Sequence, residues 1–334
     1  MLRWDCSSIN RANFSSKWKN NNNTKYSYKF SSAILTATLK KINTKTLKKI
    51  YNRCTSLTID KTSSGISTSS TGLTISNVYG LRVEDDEISL NVCDVESIVG
   101  IFESSNSSSP SIPSLIVSGL NSNILNSIKG EKIVGNDSGA VASLVSTDGA
   151  NQIFFVYLNE NNFFVGESVK FEESQISCSI DSINIGDKDI KDNFLLDEGQ
   201  RPEYLDFSRI VRKNSISPPT KKITIIFNHY TINSSDNGDF VGVNSYDKER
   251  YSNNISLVDG IPLTDVIDLR PRVSPYSGTK SPFEYESRIF TGQNSSKNIF
   301  AQEKAINLSY DYYLPRIDKL FLSKEGVFIL NKGV

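Results

Sequence analysis

Hydrophobic and polar residues alternate with a period of two through most of this chain. In "ISLNVCDV", Ile88, Leu90, Val92 and Asp94 fall on one face of an extended strand, and Ser89, Asn91, Cys93 and Val95 on the other. Similar runs are "SLTID", "GLTISNVYGLRV" and "EISLNVCDVESIVGIFES", each bounded by Ser, Thr or Gly, the punctuation expected between strands. "KKITIIFNHYTI" predicts a further strong strand. The pattern therefore predicts a mainly β fold, made of consecutive small β-sandwich or β-barrel modules with one short helix. That helix is expected near 202–213, where Pro202 suits a first turn and Tyr204, Phe207, Ile210 and Val211 recur at helical spacing.

Breaks in the pattern divide the chain. Residues 1–30 are polar and contain the run "KNNNNTK", which reads as an N-terminal arm. A β-rich domain is expected over 31–120, ending in the low-complexity, proline-containing "SSNSSSPSIPS". Residues 121–186 predict a small β-barrel-like module. In it Gly130, Glu131, Lys132 and Ile133 are echoed by Gly166, Glu167, Ser168 and Val169, and "TDGAN" closes the central hairpin. Residues 187–334 predict a second β-rich domain that holds the short helix and continues beyond Val334, since the sequence stops at a strand.

Composition supports the β reading. Ser and Asn make up roughly a quarter of the 334 residues, Met occurs once, and much of the apolar content is Ile, Val, Phe and Tyr. Charge is balanced at 37 basic and 37 acidic residues, so no global attraction to nucleic acid or anionic lipid is expected. The N-terminus has no apolar core of a secretory signal, and no segment reaches the ~20 apolar residues of a membrane span. Neither nucleic acid nor membrane is an expected partner. Cys6, Cys54, Cys93 and Cys178 are too scattered for a zinc site and read as reduced thiols or small core residues.

Candidate chemistry is sparse. His229 is the only histidine and reads as a hydrogen-bonded strand residue. The acidic clusters at Glu84 to Glu87, Glu172–Glu173 and Asp187 to Asp192 fail the calcium-loop pattern and read as solvated turns. The basic run from Lys40 to Arg53 reads as the charged border of a strand pair. No phosphate-binding loop or dinucleotide fingerprint occurs, and no cofactor is expected. In "DVIDLRPRVSP" the prolines Pro271 and Pro275 enforce extended backbone. Asp265 and Asp268 then point to opposite faces and cannot form a local acid–base pair, whereas Asp268 and Arg270 share one. Asp268, Arg270 and Arg272 are read as a brace. Tyr310, Tyr312 and Tyr313 in "YDYYLPRID" are the candidate contact patch, because tyrosine is enriched at interfaces.

Seven stretches together carry a resemblance: "SLNVCDVESIVGIFESS", "GEKIVGNDSGAVASLV", "FFVGESVKF", "LLDEGQRPEYLDFSRIVRK", "DFVGVNSYDKERYSNNI", "GIPLTDVIDLRPRVSP" and "YDYYLPRIDKLFLSKEG". In order and spacing, from about residue 75 onward, they resemble large virion structural proteins of contractile-tailed phages of cyanobacteria and related marine bacteria, which contain a domain of unknown function. The resemblance implies a tail, baseplate or fibre-associated part with no catalytic residues to carry over. It implies other tail or baseplate subunits as partners, and location in a virion assembled in the host cytoplasm and released by lysis. A homo-oligomer is compatible with it. Two other readings stay open: a host-surface glycan-binding module that recognises its receptor, and a polysaccharide-cleaving enzyme with two carboxylates converging in a cleft.

Overall fold

A computed structural model describes residues 17–19, 25–27, 42–60, 80–247, 255–258, 260–278, 281–290, 306–310 and 317–333. The strands run β1 (Lys17–Lys19), β2 (Lys25–Ser27), β3 (Lys49–Ile59), β4 (Glu87–Ser89), β5 (Val95–Glu103) and β6 (Ser114–Ser118). Then follow β7 (Lys132–Gly135), β8 (Val141–Thr147), β9 (Gln152–Tyr157), β10 (Ser168–Phe171), β11 (Ser177–Asn184), β12 (Lys188–Asp189) and β13 (Phe194–Asp197). The last are β14 (Arg209–Arg212), β15 (Ile223–Ile232), β16 (Leu257–Val258), β17 (Ile261–Pro262), β18 (Lys319–Leu322) and β19 (Phe328–Asn331). The fold is mainly β, as the alternation predicts. The helical elements described are three-residue 3-10 turns such as Ile124–Asn126.

Contacts divide the chain into one unit of Leu39–Ile299 and a second of Met1–Thr38 with Phe300–Val334. In the first, β6 to β11 close into an antiparallel barrel in the order β10-β11-β6-β9-β8-β7. Strands β12, β5, β15 and β3 form a four-stranded sheet, and β13, β14 and β4 a three-stranded one. The stretches 31–120 and 187–334 thus share a sheet, with the barrel inserted between β5 and β12. Central strand β15 is buried almost throughout because both of its faces are covered. Ile223, Ile225 and Phe227 pack with Val95, Ile101, Ile88 and Ile210 between the two sheets. Ile226 packs on the other face with Cys54, Val99 and Phe102 against Val145 and Val156 of the barrel. Burying each such side chain contributes about 1.5–3 kcal/mol. Cys54, Cys93 and Cys178 are buried free thiols; Cys6 lies outside the described residues.

The Gly-Glu echo marks a two-fold repeat inside the barrel. Gly130 and Gly166 have φ of +77° and +88°, a left-handed conformation that suits glycine. The Gly130 amide donates to Leu144 O at 2.7 Å, and that of Gly166 to Ile180 O at 2.8 Å. β7 lies antiparallel to β10, pairing Ile133 with Phe171 and Gly135 with Val169. Bulges fall at corresponding places too, between Leu144 and Ser146 and between Ile180 and Ser182. Each repeat's glutamate is fully buried and clamps the turn of the other repeat. Glu131 accepts from the amides of Glu173 at 3.0 Å and Ser174 at 2.8 Å. Glu167 accepts from those of Asp137 at 3.0 Å and Ser138 at 2.7 Å.

Two expectations are overturned. The run "ISLNVCDV" is not one strand: β4 ends at Ser89 and β5 begins at Val95, and Asn91 and Asp94 between them take left-handed φ of +63° and +64°. No helix forms at 202–213; residues 202–208 are irregular and 209–212 are strand β14. The amides a helix would use internally are claimed by neighbours. Ser208 donates to Val92 O and accepts from Leu90 N, while Leu205 donates to Pro271 O and accepts from Val273 N. β14 then pairs with both β13 and β4. Phe207 and Ile210 are buried, but in strand geometry. Tertiary pairing outweighs a helical spacing whose intrinsic propensity amounts to tenths of a kcal/mol per residue.

In the second unit β1 pairs with β2, inside the stretch read as an arm, and β18 pairs with β19 as a hairpin. The crossed clamps have a measurable signature. Glu131→Ala loosens amides at 172–174 and Glu167→Ala those at 136–138, each in the repeat it does not belong to, at a cost of about 2 kcal/mol each. Hydrogen exchange resolved by mass spectrometry checks this; loosening confined to the mutated residue's own repeat contradicts it.

Candidate functional site

The segment 268–273 is extended, as its prolines require, and lies among several chain segments. Asp268 exchanges two backbone hydrogen bonds with Val241, at 2.8 and 2.9 Å. Asp268 and Arg270 form a two-pronged ion pair, with Nε to Oδ1 at 2.9 Å and an Nη to Oδ2 at 2.8 Å. Arg270 also donates to Arg201 O and Gln200 Oε1, both at 2.8 Å. Arg272 turns away from this pair and reaches Asp94 at 2.6 Å and Tyr230 O at 3.1 Å. Tyr310 is exposed, and Tyr312 and Tyr313 lie outside the described residues.

Asp94 is the centre that sequence reading did not single out. It is buried, with a left-handed φ of +64° that Asp and Asn tolerate better than other non-glycine residues. Its Oδ2 takes both Arg272 and Lys49 Nζ, the latter at 2.8 Å, while Oδ1 is buried without a hydrogen-bond partner. Lys49 also donates to Tyr246 Oη at 2.9 Å and lies 4.8 Å from that ring's centre. Burial pushes the Asp94 carboxyl upward, but the two cations outweigh it and hold it at about 2. Burial lowers the Lys49 ammonium, and Arg272 adds to that while Asp94 opposes it.

A buried lysine against a carboxyl invites the idea of an amide cross-link. Condensation needs a neutral amine and a neutral acid together. Arg272 keeps Asp94 ionised, which removes the electrophile, so the arrangement acts as a brace. His229 lies nearby on β15, buried, 3.3 Å from Thr55 Oγ1, and burial depresses its ring to about 4.

A second ion-pair group surrounds the fully buried Asp206, bound two-pronged by Arg288 at 2.7 and 2.9 Å and by Arg209 at 3.2 Å. Arg209 continues to Glu87 and Asp197, and Arg201 to Asp197. The acidic clusters read as solvated turns are largely engaged within the structure. Asp86 pairs with Arg212, Glu173 with Arg53, and Asp187 accepts from the amides of Ser105 and Ser111. Among the described residues no group of three or more His, Cys, Asp or Glu is arranged to hold a metal ion, and no helix is long and apolar enough to cross a membrane.

One cleft of about 600 Å³ opens beside these braces, lined by Glu96, Asp197, Glu198 and Gln200 with Leu196, Ile255, Ser256 and Leu257. Burial raises the carboxyls of Glu96 and Glu198, and Glu96 is among the charges that raise Glu198 further. Glu96 accepts from Tyr51 Oη at 3.1 Å and Ser97 Oγ at 2.6 Å. The cleft offers carboxyl, amide and hydroxyl groups but no aromatic platform.

In the sequence Asp94 stands among the apolar residues of "ISLNVCDV", but the structure puts it in the turn between β4 and β5 and not on a strand face. Nothing local marked Lys49 as buried, since it sits in a run of basic residues. No protein family, curated protein or solved structure matches the chain.

Two measurements test the brace. Asp94→Asn keeps the backbone conformation but leaves two buried cations unpaired, and is expected to cost about 3–5 kcal/mol in urea unfolding. Lys49→Met leaves the Arg272–Asp94 pair neutral and costs about 1 kcal/mol or less; equal losses for the two variants contradict the account. For pH, the folded-state value of His229 near 4 lies below its ordinary 6.5. The unfolded chain therefore binds more protons in that window, so stability falls as pH drops through it, by up to about 3 kcal/mol. His229→Gln removes that dependence, and an unchanged slope between wild type and variant contradicts it.

Proposed function

We propose that this chain is a non-enzymatic structural component of a phage virion, part of or associated with the tail, baseplate or fibre, working through protein–protein contacts. The resemblance of its seven stretches to contractile-tail virion proteins supports the setting, and with it the virion as location. The observation that carries the mode of action is the β18–β19 hairpin. Leu320, Leu322, Phe328 and Leu330 occupy one face and Phe321 and Ile329 the other, and all are more than half exposed. A two-stranded hairpin is marginal in water on its own. Apolar groups on both faces suit an element that is covered on assembly. The two ion-pair groups fit the same role, since their charges are spent on one another.

The cleft beside Glu96 and Glu198 favours a second reading, a module that binds a host-surface glycan through carboxyl and amide groups. The two readings separate in mass spectrometry of gradient-banded virions from the source. The structural reading expects peptides from 80–290 at a fixed stoichiometry to the major tail proteins. Absence from intact particles, with soluble protein in infected cells that binds glycan saturably, contradicts it.

A further inference from the structure

The cleft beside Glu96 and Glu198 holds two carboxyls that no cation compensates among the described residues. Other carboxylates of the larger unit are matched: Asp94 by Lys49 and Arg272, Asp206 by Arg288, Asp268 by Arg270 and Asp197 by Arg201. The groups that favour the ionised forms of Glu96 and Glu198 are hydroxyls only, Tyr51 and Ser97 for the first and Ser256 for the second. Glu198 also feels the negative charges of Asp94, Glu96 and Asp197. Two further polar groups of the lining are unsatisfied. Ser256 is 4% exposed, and its Oγ lies beside the Glu198 carboxyl without the geometry of a hydrogen bond. Gln200 accepts from Arg270 through Oε1 at 2.8 Å, which fixes its amide and leaves Nε2 buried without a partner. A buried polar atom left unpaired costs about 1–3 kcal/mol, so an occupant that pairs with these groups is favoured. The rest of the lining besides Asp197 is apolar: Leu196, Ile255 and Leu257.

We infer that this cleft receives a lysine or arginine side chain from a partner polypeptide. The inference rests on the assembly reading and names the chemistry of one of its contacts. Such a side chain matches the lining part by part. Its aliphatic stem packs on Leu196, Ile255 and Leu257, and its cationic head donates to Glu96, Glu198 and Ser256 Oγ. The polypeptide that carries it brings the carbonyl oxygens that Gln200 Nε2 lacks. A bare metal ion fits worse, since the cleft measures about 600 Å³ and no group of three or more His, Cys, Asp or Glu among the described residues is arranged to hold one. A neutral glycan would leave both carboxylates uncompensated and finds no aromatic face to stack on.

Titration of the full chain, read by amide chemical shifts at 196–200 and 255–257, tests this. The probes are N-acetyl-lysine methylamide and N-acetyl-arginine methylamide, with N-acetyl-norleucine methylamide as the uncharged control and maltotriose as the glycan. At least one cation is expected to saturate these shifts at about 1 mM, with the norleucine compound at least about tenfold weaker. Glu198→Gln and Glu96→Gln, which keep the shape of the side chain, each weaken the cation about tenfold. Thermal unfolding checks that each variant is folded; should Glu96→Gln unfold, Glu198→Gln and the norleucine comparison decide. Failure of both cations to saturate by about 50 mM overturns the inference. So do equal binding of norleucine, indifference to Glu198→Gln, and saturation by maltotriose alone, which hands the cleft to the glycan reading. A cation-binding protein that is absent from banded particles leaves the chemistry of the cleft standing and sinks the assembly reading; a particle component whose cleft ignores both cations does the reverse.

Discussion

One buried carboxylate, Asp94, fixes how distant parts of the larger unit meet. Lys49 at the start of β3, the Tyr230 carbonyl of β15 and Arg272 in the proline-bounded segment gather around it, and Tyr246 completes the set through Lys49. Desolvating three charged groups is costly, and their mutual attraction largely offsets that cost without a large surplus. What the group supplies is discrimination. A slip of one residue turns apolar side chains out to solvent, and here it would also leave Arg272 or Lys49 as a bare charge in a dry interior. The Asp206 group with Arg288 and Arg209 does the same for the chain around β14.

These groups also bear on what the protein does. Asp94 is held ionised by two cations, so it is not poised to act as a general acid or base. Glu96 and Glu198, whose affinity for protons burial raises, line the open cleft. The most unusual surface is elsewhere, on a hairpin with apolar side chains on both faces. Ion-pair braces in one unit and an exposed apolar hairpin in the other fit the proposed part that is shaped first and then built in.

Local pattern made the β character legible, because a period of two survives whatever the strands later pair with. The Gly-Glu echo was legible as well, since its two halves place the same left-handed glycine and the same buried glutamate. The crossing of the clamps was not, because it depends on how β7 and β10 lie side by side. Prolines showed that 268–273 is extended and that Asp268 and Arg270 share a face, yet gave no hint that Arg272 would leave them for Asp94. The helix expected at 202–213 failed for a related reason: the residues that would have donated within a helix are held by strands far away in sequence. Long-range pairing decides such cases, and a single sequence carries little trace of it.

The central claim is that the exposed apolar hairpin of β18 and β19 becomes covered only on association. Hydrogen exchange of the full chain, followed from dilute solution into the assembled state, addresses it directly. The account predicts slow exchange in β3, β5 and β15 throughout, with β18 and β19 exchanging fast when dilute and slowly once assembled. Equal protection of the hairpin in the dilute monomer would contradict it, since the apolar faces would then be covered from within the chain.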